Sequence, residues 1–172
     1  MRRMTLLVLA TSGVLVAGCS SATKSASTPA PTPTIHGQLG TVSTPLGSVL
    51  TDSGGKTIYR FAIDTPGHSA CLGTCLQYWP AVVSPAAVPK SIEGVSAAIS
   101  SIVREDGSRQ LTVGGFPVYT YSADKGAGSI AGQGKNLSGG VWWAVSPNGA
   151  VNRSSPAATP SSSRVGGGYG GY

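Results

Sequence analysis

The chain has 172 residues, with twelve Lys and Arg against six Asp and Glu for a formal charge of +6, and it is rich in Gly (25) and Pro (12). The basic residues are scattered, without a run or stripe, which excludes a nucleic-acid footprint built on clustered Lys and Arg. Six acids and two His leave little material for acid–base catalysis, and Gly-x-Ser-x-Gly, P-loop and His-Glu-x-x-His motifs are absent.

Met1-Arg2-Arg3 is a short basic start, followed by an uncharged apolar run over residues 4–17. The run is too short to cross a ~30 Å hydrocarbon core as a helix and fits the central region of a secretory signal peptide. It ends in Leu15-Val16-Ala17-Gly18-Cys19. Small residues directly before a Cys at this place resemble the bacterial lipobox, in which the sulfur receives a diacylglyceryl group and cleavage leaves the Cys as the new N-terminus. The alternative is an ordinary signal peptide with a chance Cys. The expectation is a signal peptide over residues 1–18 and lipidation at Cys19. The protein would then partner a lipid bilayer, on the extracytoplasmic face of the cell membrane, since two acyl chains give stable anchoring. Residues 19–37 read as a Ser/Pro-rich tether, of a composition that cannot bury enough apolar surface to order itself.

Residues 38–152 read as the folded domain. Residues 47–51 (GSVLT) predict a strand, turned by Asp52-Ser53-Gly54-Gly55. Residues 57–63 (TIYRFAI) alternate, which predicts Tyr59, Phe61 and Ile63 on one buried face and Arg60 on the other. Residues 73–78 suggest one helical turn before Trp79-Pro80, and residues 84–100 a loop with a short helix around 94–100. Asp106-Gly107 between residues 101–105 and 109–113 is a hairpin signal. Strands at 117–122 (PVYTYS) and 141–146 (VWWAVS) complete the domain. Residues 153–172 read as a disordered tail.

The domain repeats itself. Gly54-Gly55, Ile58-Tyr59, Phe61 and Asp64 recur 60 positions later as Gly114-Gly115, Val118-Tyr119, Tyr121 and Asp124, and Trp79-Pro80-Ala81-Val82 recurs 63 positions later as Trp142-Trp143-Ala144-Val145. One unit alone would expose its aromatic face, whereas two units bury both. The expected fold is all-β or β-rich, a single compact domain of two tandem strand-rich repeats, at about 45–83 and 101–149.

Tyr59-Arg60-Phe61-Ala62-Ile63-Asp64 and Tyr119-Thr120-Tyr121-Ser122-Ala123-Asp124 resemble the hallmark of the bacterial secreted-repeat lipoproteins, Tyr-x-(Phe/Trp/Tyr)-x-x-Asp. Cys71-Leu72-Gly73-Thr74-Cys75 before Trp79-Pro80, and Arg104-Glu105-Asp106-Gly107 before Gln110-Leu111-Thr112, add similar context. The resemblance covers most of residues 45–149 and implies an exported envelope domain whose biochemical role is largely unassigned. The second unit lacks the Cys pair and carries residues 129–136 there instead.

With Cys19 lipidated, Cys71 and Cys75 form an even pair outside the cytoplasm, where a disulfide is the default. Its small loop limits the gain to about 2 kcal/mol, and its expected task is to pin the turn carrying Tyr78 and Trp79. A redox role stays open, although the Cys-x3-Cys spacing is not that of thioredoxin-like sites. A zinc site would have to draw on His68, Cys71, Cys75 and Asp64, and neither metal nor cofactor is expected. Asp64 and Asp124, each at a strand end before a turn, suit side-chain bonds to turn backbone; the sharper alternative is a Tyr/Asp ligand site. Tyr59, Phe61, Trp79, Tyr119, Tyr121, Trp142 and Trp143 supply a core and a candidate ligand face. Adjacent Trp142 and Trp143 must point to opposite faces of a strand, so one is exposed. The reading is a non-enzymatic, membrane-anchored lipoprotein that binds an envelope protein or a small flat ligand. The alternative is an accessory in extracytoplasmic electron or thiol transfer through Cys71 and Cys75 or a bound cofactor.

Overall fold

Short apolar runs broken by Gly-rich turns fold here as short antiparallel strands with almost no helix, in a computed structural model that describes residues 34–36 and 38–154. The signal segment, Cys19, the tether before residue 34 and the tail from residue 155 lie outside the described residues. In chain order the elements are β1 (Thr34–His36), β2 (Leu39–Thr44), β3 (Gly47–Asp52), β4 (Tyr59–Phe61), α1 (Cys75–Tyr78), β5 (Ile99–Val103), β6 (Arg109–Val113), β7 (Phe116–Pro117), β8 (Asn136–Leu137) and β9 (Gly140–Ala144). They make three three-stranded sheets, ordered β1-β2-β3, β4-β9-β8 and β5-β6-β7. Among the described residues no helix is long and apolar enough to cross a membrane.

The two repeats build the same hairpin twice, β2–β3 and β5–β6. Each hairpin ends in a Gly-Gly turn, and the second glycine, Gly55 or Gly115, sits at φ 81° or 84°, where a side chain would be strained. The aromatic segments then meet at the centre. Tyr59 N–H donates to the Tyr119 carbonyl at 2.8 Å, and Tyr119 N–H donates to the Tyr59 carbonyl at 3.0 Å. This reciprocal bridge relates the repeats as a pseudo-twofold axis would.

Neither repeat completes its own sheet. The Trp-x-Ala-Val segment of the second repeat pairs with the first repeat's aromatic strand: β9 lies antiparallel to β4, with Tyr59 opposite Ala144 and Phe61 opposite Trp142. Val145 N–H continues the pairing to the Ile58 carbonyl at 3.0 Å. The corresponding segment of the first repeat pairs with the second repeat's aromatic strand. Val82 N–H donates to the Val118 carbonyl at 3.0 Å and Thr120 N–H to the Pro80 carbonyl at 2.9 Å. The exchange produces one aromatic core and one aliphatic core, the latter holding Leu39, Leu50, Ile58, Leu111, Val113, Val118 and Val145.

Three local expectations are corrected. Ile63 is 51 % exposed rather than buried, because the strand ends at Phe61 and Asp64 N–H turns back to its carbonyl at 3.2 Å. Residues 94–100 form no helix: Ser96 and Ala97 N–H both donate to the Pro147 carbonyl, and β5 begins at Ile99. The strand expected at 117–122 is reduced to β7, and beyond it single bridges join Tyr119 to Tyr59 and to Ala81. The helical turn before Trp79 is present as α1, and Thr34–His36 of the stretch read as tether pairs with β2.

Because each repeat lends its last segment to the other, a chain ending at residue 98 should not fold as a monomer. Far-UV circular dichroism and thermal unfolding of that fragment check this. A cooperative melt from a monomeric fragment would contradict the exchange.

Candidate functional site

The two Tyr-x-aromatic-x-x-Asp motifs interlock. Tyr59 Oη–H of the first motif donates to Asp124 Oδ2 of the second at 2.9 Å, and Tyr119 Oη–H of the second donates to Asp64 Oδ2 of the first at 2.7 Å. Each carboxylate also caps its own turn, as the sequence suggested. Asp64 Oδ1 accepts from Ala70 N–H at 2.7 Å, and Asp124 Oδ1 accepts from Ala131 N–H and Ser129 Oγ–H, both at 2.9 Å. Burial raises both carboxyl pKa values, and these hydrogen bonds oppose the rise without cancelling it. Burial, reinforced by the facing carboxylates, raises both phenol pKa values, so Tyr59 and Tyr119 remain protonated donors.

Between the pairs runs a column of four stacked rings. Tyr121 lies on Trp79 at 4.3 Å, Trp79 on Trp142 at 3.9 Å, and Trp142 on Phe61 at 4.1 Å between centroids. Tyr59 meets Trp79 edge-on at 5.5 Å, and Tyr119 meets Trp142 edge-on at 5.0 Å. Glycines make room for this: a Cβ at Gly132 would lie 2.9 Å from the Tyr59 and Trp79 rings, and one at Gly140 2.8 Å from Phe61. Eight of the nine residues expected on a ligand face (Tyr59, Phe61, Asp64, Trp79, Tyr119, Tyr121, Asp124 and Trp142) are buried. Enclosed on all sides, these rings offer no surface for a ligand to stack on.

Trp143 is the remaining one, half-buried on the opposite face of β9. It stands across from Arg60, and the Arg153 guanidinium lies 5.9 Å from its ring centroid. Arg60 covers the Phe116 ring at 4.0 Å. Burial, and then the nearby positive charge of Arg153, lower the Arg60 pKa. The face therefore combines an accessible indole with two neighbouring cations.

Cys71 and Cys75 form a disulfide, and both are buried. The bridge ties the preceding loop to α1, whose first carbonyl, that of Cys75, accepts from Trp79 N–H at 2.9 Å. The pin on Trp79 is thus in place, whereas Tyr78 is exposed. Among the described residues no group of three or more His, Cys, Asp and Glu is arranged to hold a metal ion, and His68 lies on an exposed loop.

Sequence reasoning missed one cluster. Arg104 is only 7 % exposed. Its Nη1 donates to Ser69 Oγ at 2.9 Å and, by a short bond, to Gln110 Oε1, and its Nη2 donates to the Cys71 carbonyl at 2.6 Å. Ser69 Oγ lies 2.7 Å from Tyr119 Oη. Since Tyr119 Oη–H donates to Asp64, the short contact is made by Ser69 Oγ–H donating to Tyr119, in preference to its longer 3.3 Å contact with the Cys71 carbonyl. The donors run one way, from guanidinium through two hydroxyls to carboxylate. Arg104-Glu105-Asp106-Gly107 was visible in the sequence as a hairpin turn, but nothing in that context marks which arginine turns inward.

Tyr59→Phe and Tyr119→Phe should each lose about 1–3 kcal/mol of stability, the cost of leaving one oxygen of a buried carboxylate without a donor. Urea unfolding checks this, and losses below about 0.5 kcal/mol in both variants, the range of ordinary surface changes, would contradict it. Raised folded pKa values give the pH dependence a sign. The stability contributed by Asp64 is present below the ordinary Asp value of about 3.9 and is lost as pH rises through its raised folded value. The stability of wild type relative to Asp64→Asn should therefore fall between about pH 4 and neutrality. A relative gain over that window would contradict the raised value.

Neither a curated protein nor a solved structure matches the chain. A family described as a secreted repeat of unknown function matches twice, at residues 40–83 and 100–146, one match for each half of the interlocked pair. The two segments together span more than half of the sequence, and the chain belongs to this secreted-repeat family, an extracytoplasmic protein of unassigned role.

Proposed function

We propose that the protein is a membrane-anchored extracytoplasmic binding domain that performs no covalent chemistry. Lipid at Cys19 holds it to the bilayer, and it meets its partner on the face around Trp143. The observation that carries this reading is the division of the aromatic residues: six of the seven on the candidate face are spent on the core, while Trp143 stays half-buried beside Arg60 and Arg153. An indole flanked by guanidinium groups suits a flat, anionic group on an envelope component or small ligand, because ring stacking and charge attraction act together. The two motif carboxylates support the non-enzymatic side of the reading, since each oxygen already accepts a hydrogen bond. The thiol-transfer alternative has less support, because thiolate exchange needs access and both sulfurs are buried.

Mass spectrometry of natively expressed protein should find a diacylglyceryl group on an N-terminal Cys19. An unacylated protein beginning elsewhere would remove the anchor. Trp143→Ala should keep the melting temperature within a few degrees and lose partners recovered from envelope extracts by the wild-type protein. An unchanged partner set would remove the face. Thiol titration of the folded protein against a series of redox buffers tests the alternative, which survives only if the bridge opens without unfolding.

A further inference from the structure

The interlocked core is symmetric, but its surroundings are not. On one side Gly132 N–H donates to Tyr59 Oη at 3.3 Å, and that backbone group suffices behind the Tyr59–Asp124 pair. On the other side the same place behind Tyr119 is taken by Ser69 and, behind it, Arg104. At the 60-residue offset the first repeat has Thr44 in place of Arg104 and Leu50 in place of Gln110. A Tyr–Asp pair of this kind is therefore satisfied without a guanidinium. Burying a guanidinium is unfavourable unless it is well paired, so its presence on one side alone calls for a use beyond the fold.

The pairing of Arg104 is incomplete in a specific way. Three contacts occupy Nη1 and one hydrogen of Nη2, while the buried Nε–H has no acceptor. Ser69 Oγ and the Cys71 carbonyl, which take Nη1 and Nη2, lie 3.3 Å apart along the Nη1–Nη2 edge, which leaves Nε–H and the second Nη2–H on the other edge, the fork that receives a carboxylate. Arg104 and Ser69 line a cleft of about 50 Å³ together with Leu72, Ile102, Val103 and Glu105. The polar pair is buried, whereas Leu72 is 44 % and Val103 64 % exposed. Apolar side chains thus rim a cleft lined at its base by a buried guanidinium whose Nε–H has no acceptor. Glu105 opposes a second negative charge on any occupant.

We propose that this cleft binds a monocarboxylate bearing an apolar group, with the carboxylate on the free edge of Arg104 and the apolar part against Leu72, Ile102 and Val103. The site lies apart from the Trp143 face and does not depend on that reading.

Amide NMR titration of the full-length protein with hexanoate tests the proposal. Saturable shifts are expected at residues 67–72 and 102–105. Acetate, which lacks the apolar part, and hexylammonium, which lacks the charge, should bind at least several-fold more weakly. Arg104→Met should weaken hexanoate by about tenfold or more, as for one charge-assisted hydrogen bond. If Arg104→Met does not fold, Val103→Glu decides: this exposed position tolerates the change, and the added charge should weaken hexanoate several-fold. Trp143→Ala should leave the titration unchanged. Absent shifts at the cleft overturn the proposal. So do equal binding of hexylammonium or acetate, indifference to Val103→Glu or to a folded Arg104→Met, or loss on Trp143→Ala.

Discussion

The structure depends on a reciprocal pair of hydrogen bonds between two copies of one motif: each tyrosine hydroxyl donates to the aspartate of the other copy. The phenol must cross the pseudo-twofold centre to reach the carboxylate, which requires the two aromatic strands to meet at Tyr59 and Tyr119. Once they meet there, Phe61 and Tyr121 fall at opposite ends of the ring column with the two stacked tryptophans between them. Each well-placed aromatic pair adds roughly 0.5–1.5 kcal/mol beyond the area it covers. The polar bonds contribute less net stability than register, because a carboxylate displaced from its phenol would be buried unpaired.

The same constraint accounts for the chemistry around the motif. A buried aspartate needs several donors, and the turn after each strand supplies them from backbone and hydroxyl groups. The disulfide appears only in the first repeat, where the segment leading into it presents Ser69 and the Cys71 carbonyl to Arg104. The second repeat reaches an equivalent end with Gly132, whose lack of a side chain lets the backbone approach the rings. Two local solutions thus support one global arrangement, and they leave different surfaces above it.

Much of this was legible in the residues. Period-two alternation and Gly-Gly turns marked the strands, and the 60-residue offset revealed the doubling. The adjacent tryptophans implied one inward and one outward ring, and Trp142 and Trp143 divide that way. The exchange of terminal segments was not legible, because Trp79–Val82 and 142–145 have the same local pattern whichever aromatic strand they pair with. The burial of most of the aromatic set followed from that exchange. Ile63 was misplaced because alternation does not announce where a strand ends, and Asp64 ends it by capping the turn. Arg104 was hidden for a related reason: an arginine next to a hairpin turn is ordinarily solvated, and the distant loop at Ser69–Cys71, together with Gln110 in the same hairpin, draws it in.

The exchanged segments also bear on ancestry. A single unit of this design lacks the partner strand that its own Tyr-x-aromatic segment requires, and a twofold-related second copy would supply it by an isologous contact. Duplication and fusion of such a unit would yield a chain in which the former subunit boundary survives as the connection between Val83 and Ile99, the Ala/Ser/Pro-rich stretch that matches neither repeat. Once fused, the halves are free to diverge, and the arginine and the cysteine pair, each present on one side only, are what such divergence leaves.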